Sequence, residues 1–198
     1  MPSSPGLFAD RDTPFIRGRP KGGGTTYFII PGILGVGGNT KALTNGTDNY
    51  APFFVDSNLV VDQLVFEVST AGSAGVTSRV GLYAADKDWQ PIGAPLADSG
   101  TIATDTTGVK TYTPTNPIYL RRGRYLSVGN SSAATAPIVR ALQISQAYLT
   151  TLGSSLTISS YTVARAYAAF PTPGTAWTTT AGAATPAGHF LFFRVATP

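Results

Sequence analysis

The clearest periodic pattern in the chain lies between residues 59 and 70. Leu64, Phe66 and Val68 alternate with polar side chains, so that apolar and polar residues occupy opposite faces of an extended segment. A period of two over this length predicts a β-strand with one buried face. Residues 59–70 are therefore expected to form the principal strand of the fold.

Shorter runs of the same kind follow one another, separated by Gly, Pro, Asp and Asn. The predicted strands are 50–55, 77–84, 89–96, 99–104, 109–113, 124–128 and 188–195. Residues 137–148 fit neither a helical nor a strand period well. We expect a strand over 137–148, because the neighbouring residues 156–163 are rich in β-branched side chains. Several short strands at this spacing predict an all-β protein, an antiparallel β-sandwich of jelly-roll type.

Residues 1–49 differ from this pattern because Pro and Gly recur throughout them, and 25–30 is their one β-like run. We expect an extended N-terminal arm over 1–49 and the sandwich over 50–198. The arm either becomes ordered when it binds the surface of a partner or packs against the sandwich of its own chain, and the sequence favours neither. The residues expected to anchor it are Phe8, Arg11, Phe15, Ile16, Arg17, Arg19, Lys21, Tyr27 and Phe28.

The composition of the 198-residue chain removes most catalytic chemistry. It has no Cys and one His, and 12% of its residues are charged. Disulfides, thiolate nucleophiles and multi-histidine metal sites are thereby excluded. His189 stands beside an apolar run without a recognisable catalytic motif. We expect no catalytic residues, no metal and no cofactor, and hence no enzyme.

The net charge of +4 is concentrated in the arm. Residues 1–41 hold five basic and two acidic groups, whereas the other residues hold nine basic and eight acidic ones. A nearly neutral body argues against a nucleic-acid partner. The longest apolar stretch, 27–36, is interrupted by Pro31, Gly32 and Gly35, and no signal peptide is recognisable. A soluble protein made in a cytoplasm, without a membrane partner, is expected.

Two groups of side chains are candidates for binding. Trp89 and Trp177 could stack on a sugar, although amphipathic aromatics also serve protein interfaces. Arg121, Arg122 and Arg124 fit the tip of a hairpin. Such a cluster is either a solvated turn or a subunit interface that meets acidic groups.

Five stretches of the body resemble a known module. They are YAPFFV (50–55), LVFEVSTAGSAG (64–75), VGLYA (80–84), WQPIGAPLADSGT (89–101) and GRYLSV (123–128). In this order they resemble a β-sandwich module of tailed-bacteriophage and prophage virion proteins. The resemblance covers residues 50–130, and Arg122 stands where that module often has proline.

The resemblance implies a virion structural protein, often a homotrimer, without catalytic residues. A short arm and one body, with no shaft, favour a capsid decoration or head-fibre protein that binds the major capsid protein and stabilises the shell. We therefore expect it on the capsid surface of a virion assembled in the host cytoplasm. A tail fibre bound to a tail adaptor, and a carbohydrate-binding module for a host surface glycan, are the alternatives. Whether residues 131–187 belong to the same sandwich stays open.

Overall fold

The chain folds into two packed β-sheets. The computed structural model describes residues 27–29, 35–55, 58–133, 135–144, 161–172, 188–189 and 191–195. Within these ranges there are fourteen strands and no helix. Every pairing between strands is antiparallel. The predicted all-β, antiparallel sandwich is therefore confirmed.

Sheet A has eight strands and is organised around its longest one. They are β1 (Tyr27–Ile29), β2 (Gly35–Ala42), β4 (Leu59–Thr70), β8 (Gly108–Tyr112), β9 (Ile118–Leu120), β11 (Ile138–Ile144), β13 (Gly188–His189) and β14 (Phe192–Val195). One edge of β4 pairs with β9 and β8, and the other with β14 and β11. Beyond these, β1 pairs with β14, while β2 and β13 pair with β11.

Sheet B has six strands. They are β3 (Thr47–Val55), β5 (Thr77–Ala85), β6 (Pro91–Asp98), β7 (Ile102–Ala103), β10 (Gly123–Ser131) and β12 (Tyr161–Ala164). The order across the sheet is β12-β3-β10-β5-β6, and β7 also pairs with β5. The central strands β3, β10 and β5 share long continuous registers and form the middle of this sheet.

The inner faces of the two sheets form the main core. Leu64, Phe66 and Val68 of β4 are buried, as their alternation predicted. Phe53 of sheet B lies 5.4 Å from Phe193 of sheet A, ring centroid to ring centroid, so aromatic side chains join the layers directly. Burial of each such ring stabilises the fold by about 1.5–3 kcal/mol.

A β-bulge changes which side chains of β4 face the core. Arg194 pairs with Gln63 and Val195 pairs with Val61, so Asp62 has no partner residue of its own on β14. Successive side chains alternate across a strand, and the extra residue lets both Val61 and Leu64 face inward. Asp62 instead accepts a 2.7 Å hydrogen bond from Arg194 Nε.

A second, smaller core lies on the outer face of sheet B. Residues 161–172, here called the strap, begin as β12 and then cover this face. Phe170 of the strap packs edge-on against Tyr83, at 6.5 Å between ring centroids. The contact requires glycine at position 81, because a Cβ there would lie 2.7 Å from the Phe170 ring. The Tyr83 hydroxyl donates a 2.6 Å hydrogen bond to the Pro171 carbonyl.

The described parts of residues 131–187 belong to the same two sheets. β11 pairs with β4 and β2 of sheet A, and β12 pairs with β3 of sheet B. The strand expected within 137–148 is confirmed for Ile138–Ile144. Residues 145–148 lie outside the described ranges.

The described parts of residues 1–49 also pair within the sheets. β1 falls inside the β-like run 25–30, whereas β2 was not expected because Gly35–Ala42 is rich in glycine and has no apolar alternation. The boundary drawn between residues 49 and 50 falls inside β3. Residues 27–29, 35–42 and 47–49 of the expected arm are therefore strand residues of the two sheets.

Candidate functional site

The arginine cluster lies where the chain crosses from one sheet to the other. β9 ends at Leu120 and pairs with β4 of sheet A, whereas β10 begins at Gly123 and pairs with strands of sheet B. The expectation of a hairpin tip is wrong, because the two flanking strands belong to different sheets. Arg121 and Arg122 are exposed on this crossover, and Arg124 is half-buried at the start of β10.

The backbone of the crossover is held by two side chains. The Tyr125 hydroxyl donates a 2.7 Å hydrogen bond to the Arg121 carbonyl, and the Arg122 N–H donates to Asn58 Oδ1 at 3.3 Å. Burial raises the pKa of Tyr125, so its hydroxyl stays protonated as a donor. The arginine side chains therefore project from a fixed backbone.

Arg124 covers the indole of Trp89. Its guanidinium carbon lies 5.4 Å from the ring centroid, a cation–π distance. Trp89 is 2% exposed, so the glycan contact expected there is corrected: the ring offers no free face for a sugar. Trp177, the other candidate, lies outside the described residues. Arg124 Nε is buried and has no hydrogen-bond partner within the described part of the chain.

The turn between β5 and β6 places Trp89 under this arginine. Asp86 Oδ1 accepts hydrogen bonds from the N–H groups of Asp88 and Gln90, both at 2.8 Å. Trp89 has a φ of 60°, in the left-handed region that large residues avoid. Such a conformation costs on the order of 1 kcal/mol. Burial of the indole offsets this cost.

The other described arginines all form ion pairs with carboxylates, and the arginines of the cluster differ from them in this respect. Each of them lies within ion-pair distance of a carboxylate of the same chain: Arg79–Asp98 (3.4 Å), Arg140–Glu67 (2.7 Å), Arg194–Asp62 (2.7 Å) and Arg165–Asp48. No ion pair within the described ranges involves the three arginines of the cluster. The exposed charges of Arg121 and Arg122 are thus available to an external group.

Exposed apolar side chains lie on the elements that flank the cluster. Tyr119, on β9, is 74% exposed, and Ile92, next to the Trp89 turn, is 48% exposed. Ile92 pairs with Ala84 and Ala97 with Leu82, so residues 93–96 protrude from the edge of sheet B. Tyr, Arg and aliphatic side chains together are typical of protein interfaces.

A buried polar network at another part of sheet B was not found by sequence reasoning. Asp48 is fully buried and receives hydrogen bonds from both Nε and an Nη atom of Arg165, and from Asn130 Nδ2 at 2.7 Å. Burial alone would lower the pKa of Arg165, but its hydrogen bond and charge interaction with Asp48 outweigh burial and raise it. The network attaches the strap to sheet B.

The expected arm residues are divided by the structure. Tyr27 and Phe28 lie in β1, where they pair with Val195 and Arg194. The remaining seven lie outside the described residues: Phe8, Arg11, Phe15, Ile16, Arg17, Arg19 and Lys21. The anchoring role of the arm stays a prediction.

The described residues lack two features that would indicate a function. In the part of the chain that the structure describes, no three His, Cys, Asp or Glu side chains are grouped to hold a metal ion. No helix there is long and apolar enough to span a bilayer.

No protein-family model, curated protein or solved structure matches the chain. The phage resemblance therefore depends on the short motifs alone.

Proposed function

We propose that this chain is a structural protein of a tailed-bacteriophage virion, specifically a capsid decoration protein. In this proposal the sandwich is the body of a homotrimer and binds the major capsid protein through the segment before β1. The protein stabilises the shell by burial and hydrogen bonding, without catalysis or a cofactor.

The observation that carries the proposal is the order of the five motif stretches. They fall on β3, β4, β5, β6 and β10, with the connecting turns included. The motif glycines have backbone roles: Gly75, Gly93 and Gly100 have φ between 64° and 74°. A Cβ at Gly72 would lie 2.4 Å from Val76. Several motif positions thus coincide with places in the sandwich where the backbone restricts residue choice.

The sheet pairings decide which deletion can test the anchoring segment without damage to the sandwich. Deleting residues 2–48 would remove β2 and part of β3, and would damage both sheets. Deleting residues 2–26 leaves every described strand intact. The segment removed holds four basic side chains, Arg11, Arg17, Arg19 and Lys21, and three of the apolar anchors expected from the sequence, Phe8, Phe15 and Ile16.

The experiment is to tag the chain in the genome that encodes it and to image purified particles with a gold label. Label spread over the shell supports a decoration protein, whereas label at one vertex supports the tail-fibre alternative. Absence of the chain from purified particles would refute a virion role. Light scattering of the purified chain tests the trimer.

The 2–26 deletion serves as the second arm of the experiment. Its urea unfolding should match that of the full chain, which shows that the body is folded. The proposal expects the deletion variant to be lost from particles. If it occupies the shell as fully as the full chain, this segment is not the anchor.

A further inference from the structure

We propose that the arginine end of the sandwich, formed by Arg121, Arg122 and Arg124, docks a carboxylate-bearing segment of another protein. This inference is independent of the virion proposal, because it concerns the chemistry of one surface and not its place on a particle. It rests on the charge balance of the described residues and on the fixed geometry of the crossover.

The first argument is that three arginines lie within four consecutive residues and that, among the described residues, no carboxylate forms an ion pair with them. The other four described arginines each have one. Arg121 and Arg122 are consecutive and exposed, and an external anion would lower the repulsion between their like charges. The hydrogen bonds from Tyr125 and to Asn58 fix the loop backbone in advance, which lowers the entropy cost of binding.

The second argument concerns the source of the anion. Every described carboxylate of this chain already accepts a hydrogen bond or ion pair within the chain: Asp48, Asp62, Glu67, Asp86, Asp88, Asp98 and Asp105. Among the described residues, a second copy therefore offers only carboxylates that already have a partner in their own chain. Charge complementarity therefore favours a different protein with acidic side chains of its own.

The third argument favours a protein over a nucleic acid. The nearby exposed groups are apolar or aromatic, Tyr119 and Ile92, rather than further cations. Lys87, the cation of the turn that holds Trp89, is paired with Asp88. Phosphate backbones are bound by more numerous unpaired cations than three. Arg and Tyr beside aliphatic side chains match the centre of a protein interface.

The test measures binding of a short labelled peptide of alternating Glu and Gly by fluorescence anisotropy, in ~0.1 M salt. The matched Gln–Gly peptide and a single-stranded DNA of similar charge are the comparison probes. Arg121→Gln/Arg122→Gln removes two exposed charges and leaves the hydrogen-bonded backbone in place. Arg140→Gln/Lys110→Gln removes two charges from sheet A and serves as the matched control.

We expect the Glu–Gly peptide to bind and the Gln–Gly peptide not to bind. The affinity should fall about tenfold in Arg121→Gln/Arg122→Gln and less than about twofold in the control. Urea unfolding should show both variants to be folded.

Three results would overturn the proposal. If the Glu–Gly peptide does not bind, or if both double variants weaken it equally, the arginine end has no specific site for carboxylates. If the DNA binds more tightly with the same dependence on Arg121 and Arg122, the ligand is a phosphate polymer. If self-association of the chain is lost in Arg121→Gln/Arg122→Gln, the occupant is a second copy.

Discussion

The attachment of the strap depends on a fully buried carboxylate, and replacing Arg165 by Met tests how much that attachment stabilises the fold. The Asp48 side chain is 0% exposed and that of Arg165 is 19% exposed. Removing the cation leaves a buried charge without its partner, which costs about 3–5 kcal/mol in comparable sites. Asn130 still donates its 2.7 Å hydrogen bond, so we expect the lower end, about 3 kcal/mol.

The assay is urea unfolding of the purified variants, compared at equal m value. Arg140→Met is the control, because the Arg140–Glu67 pair is largely exposed and its loss should cost less than about 1 kcal/mol. The double variant Asp48→Asn/Arg165→Met should be more stable than Arg165→Met, since no charge stays buried. The reasoning fails if Arg165→Met costs no more than the control, or if the double variant recovers nothing.

Three further predictions concern sheet B and its turns. Burial and the charge of Asp48 raise the pKa of Tyr83, so the Tyr83 hydroxyl keeps its proton in the folded state at a pH where the unfolded chain loses it. The free energy of unfolding should therefore fall as the pH rises above 10. Urea unfolding at pH 9 and 11 should show a smaller fall for Tyr83→Phe than for the unchanged chain. Gly81→Ala should lower the free energy of unfolding by about 1–3 kcal/mol, because its Cβ would lie 2.7 Å from the Phe170 ring; an unchanged stability would contradict that close contact. Asp86→Ala should cost about 1–2 kcal/mol in thermal or urea unfolding, since two backbone N–H groups lose their acceptor, and an equal loss on breaking the exposed Lys87–Asp88 pair would argue against this role.

The fold was predictable where side-chain alternation is strong. Leu64, Phe66 and Val68 indicated the buried face of β4, and the short apolar runs indicated most of the other strands. β2 was not predicted, because Gly35–Ala42 consists mainly of glycines and polar residues. Its pairing with β11 stabilises it as a strand. Tertiary pairing overrides local propensity in such segments.

The candidate site was predictable in composition but not in arrangement. The arginine cluster is visible as a run of residues, yet its position between two sheets follows from β9 pairing with β4, which no local signal reveals. Asp48 and Arg165 are 117 positions apart, so their ion pair has no signature in the sequence. Trp89 was expected as a sugar contact, and its contact with Arg124, 35 positions away on β10, has no local signal in the sequence.

The position of β14 has a consequence for how the protein can be made. This strand pairs with β1 on one side and β4 on the other, so residues 27–29 have no strand to pair with until residues 193–195 have been synthesised. During translation the edge of β4 that later pairs with β14 is unpaired. β1 is also without its pairing partner, which lies more than 160 positions further along the chain. Sheet A must therefore close late, and slow closure of such long-range pairings leaves an unpaired strand edge exposed to aggregation in the interval.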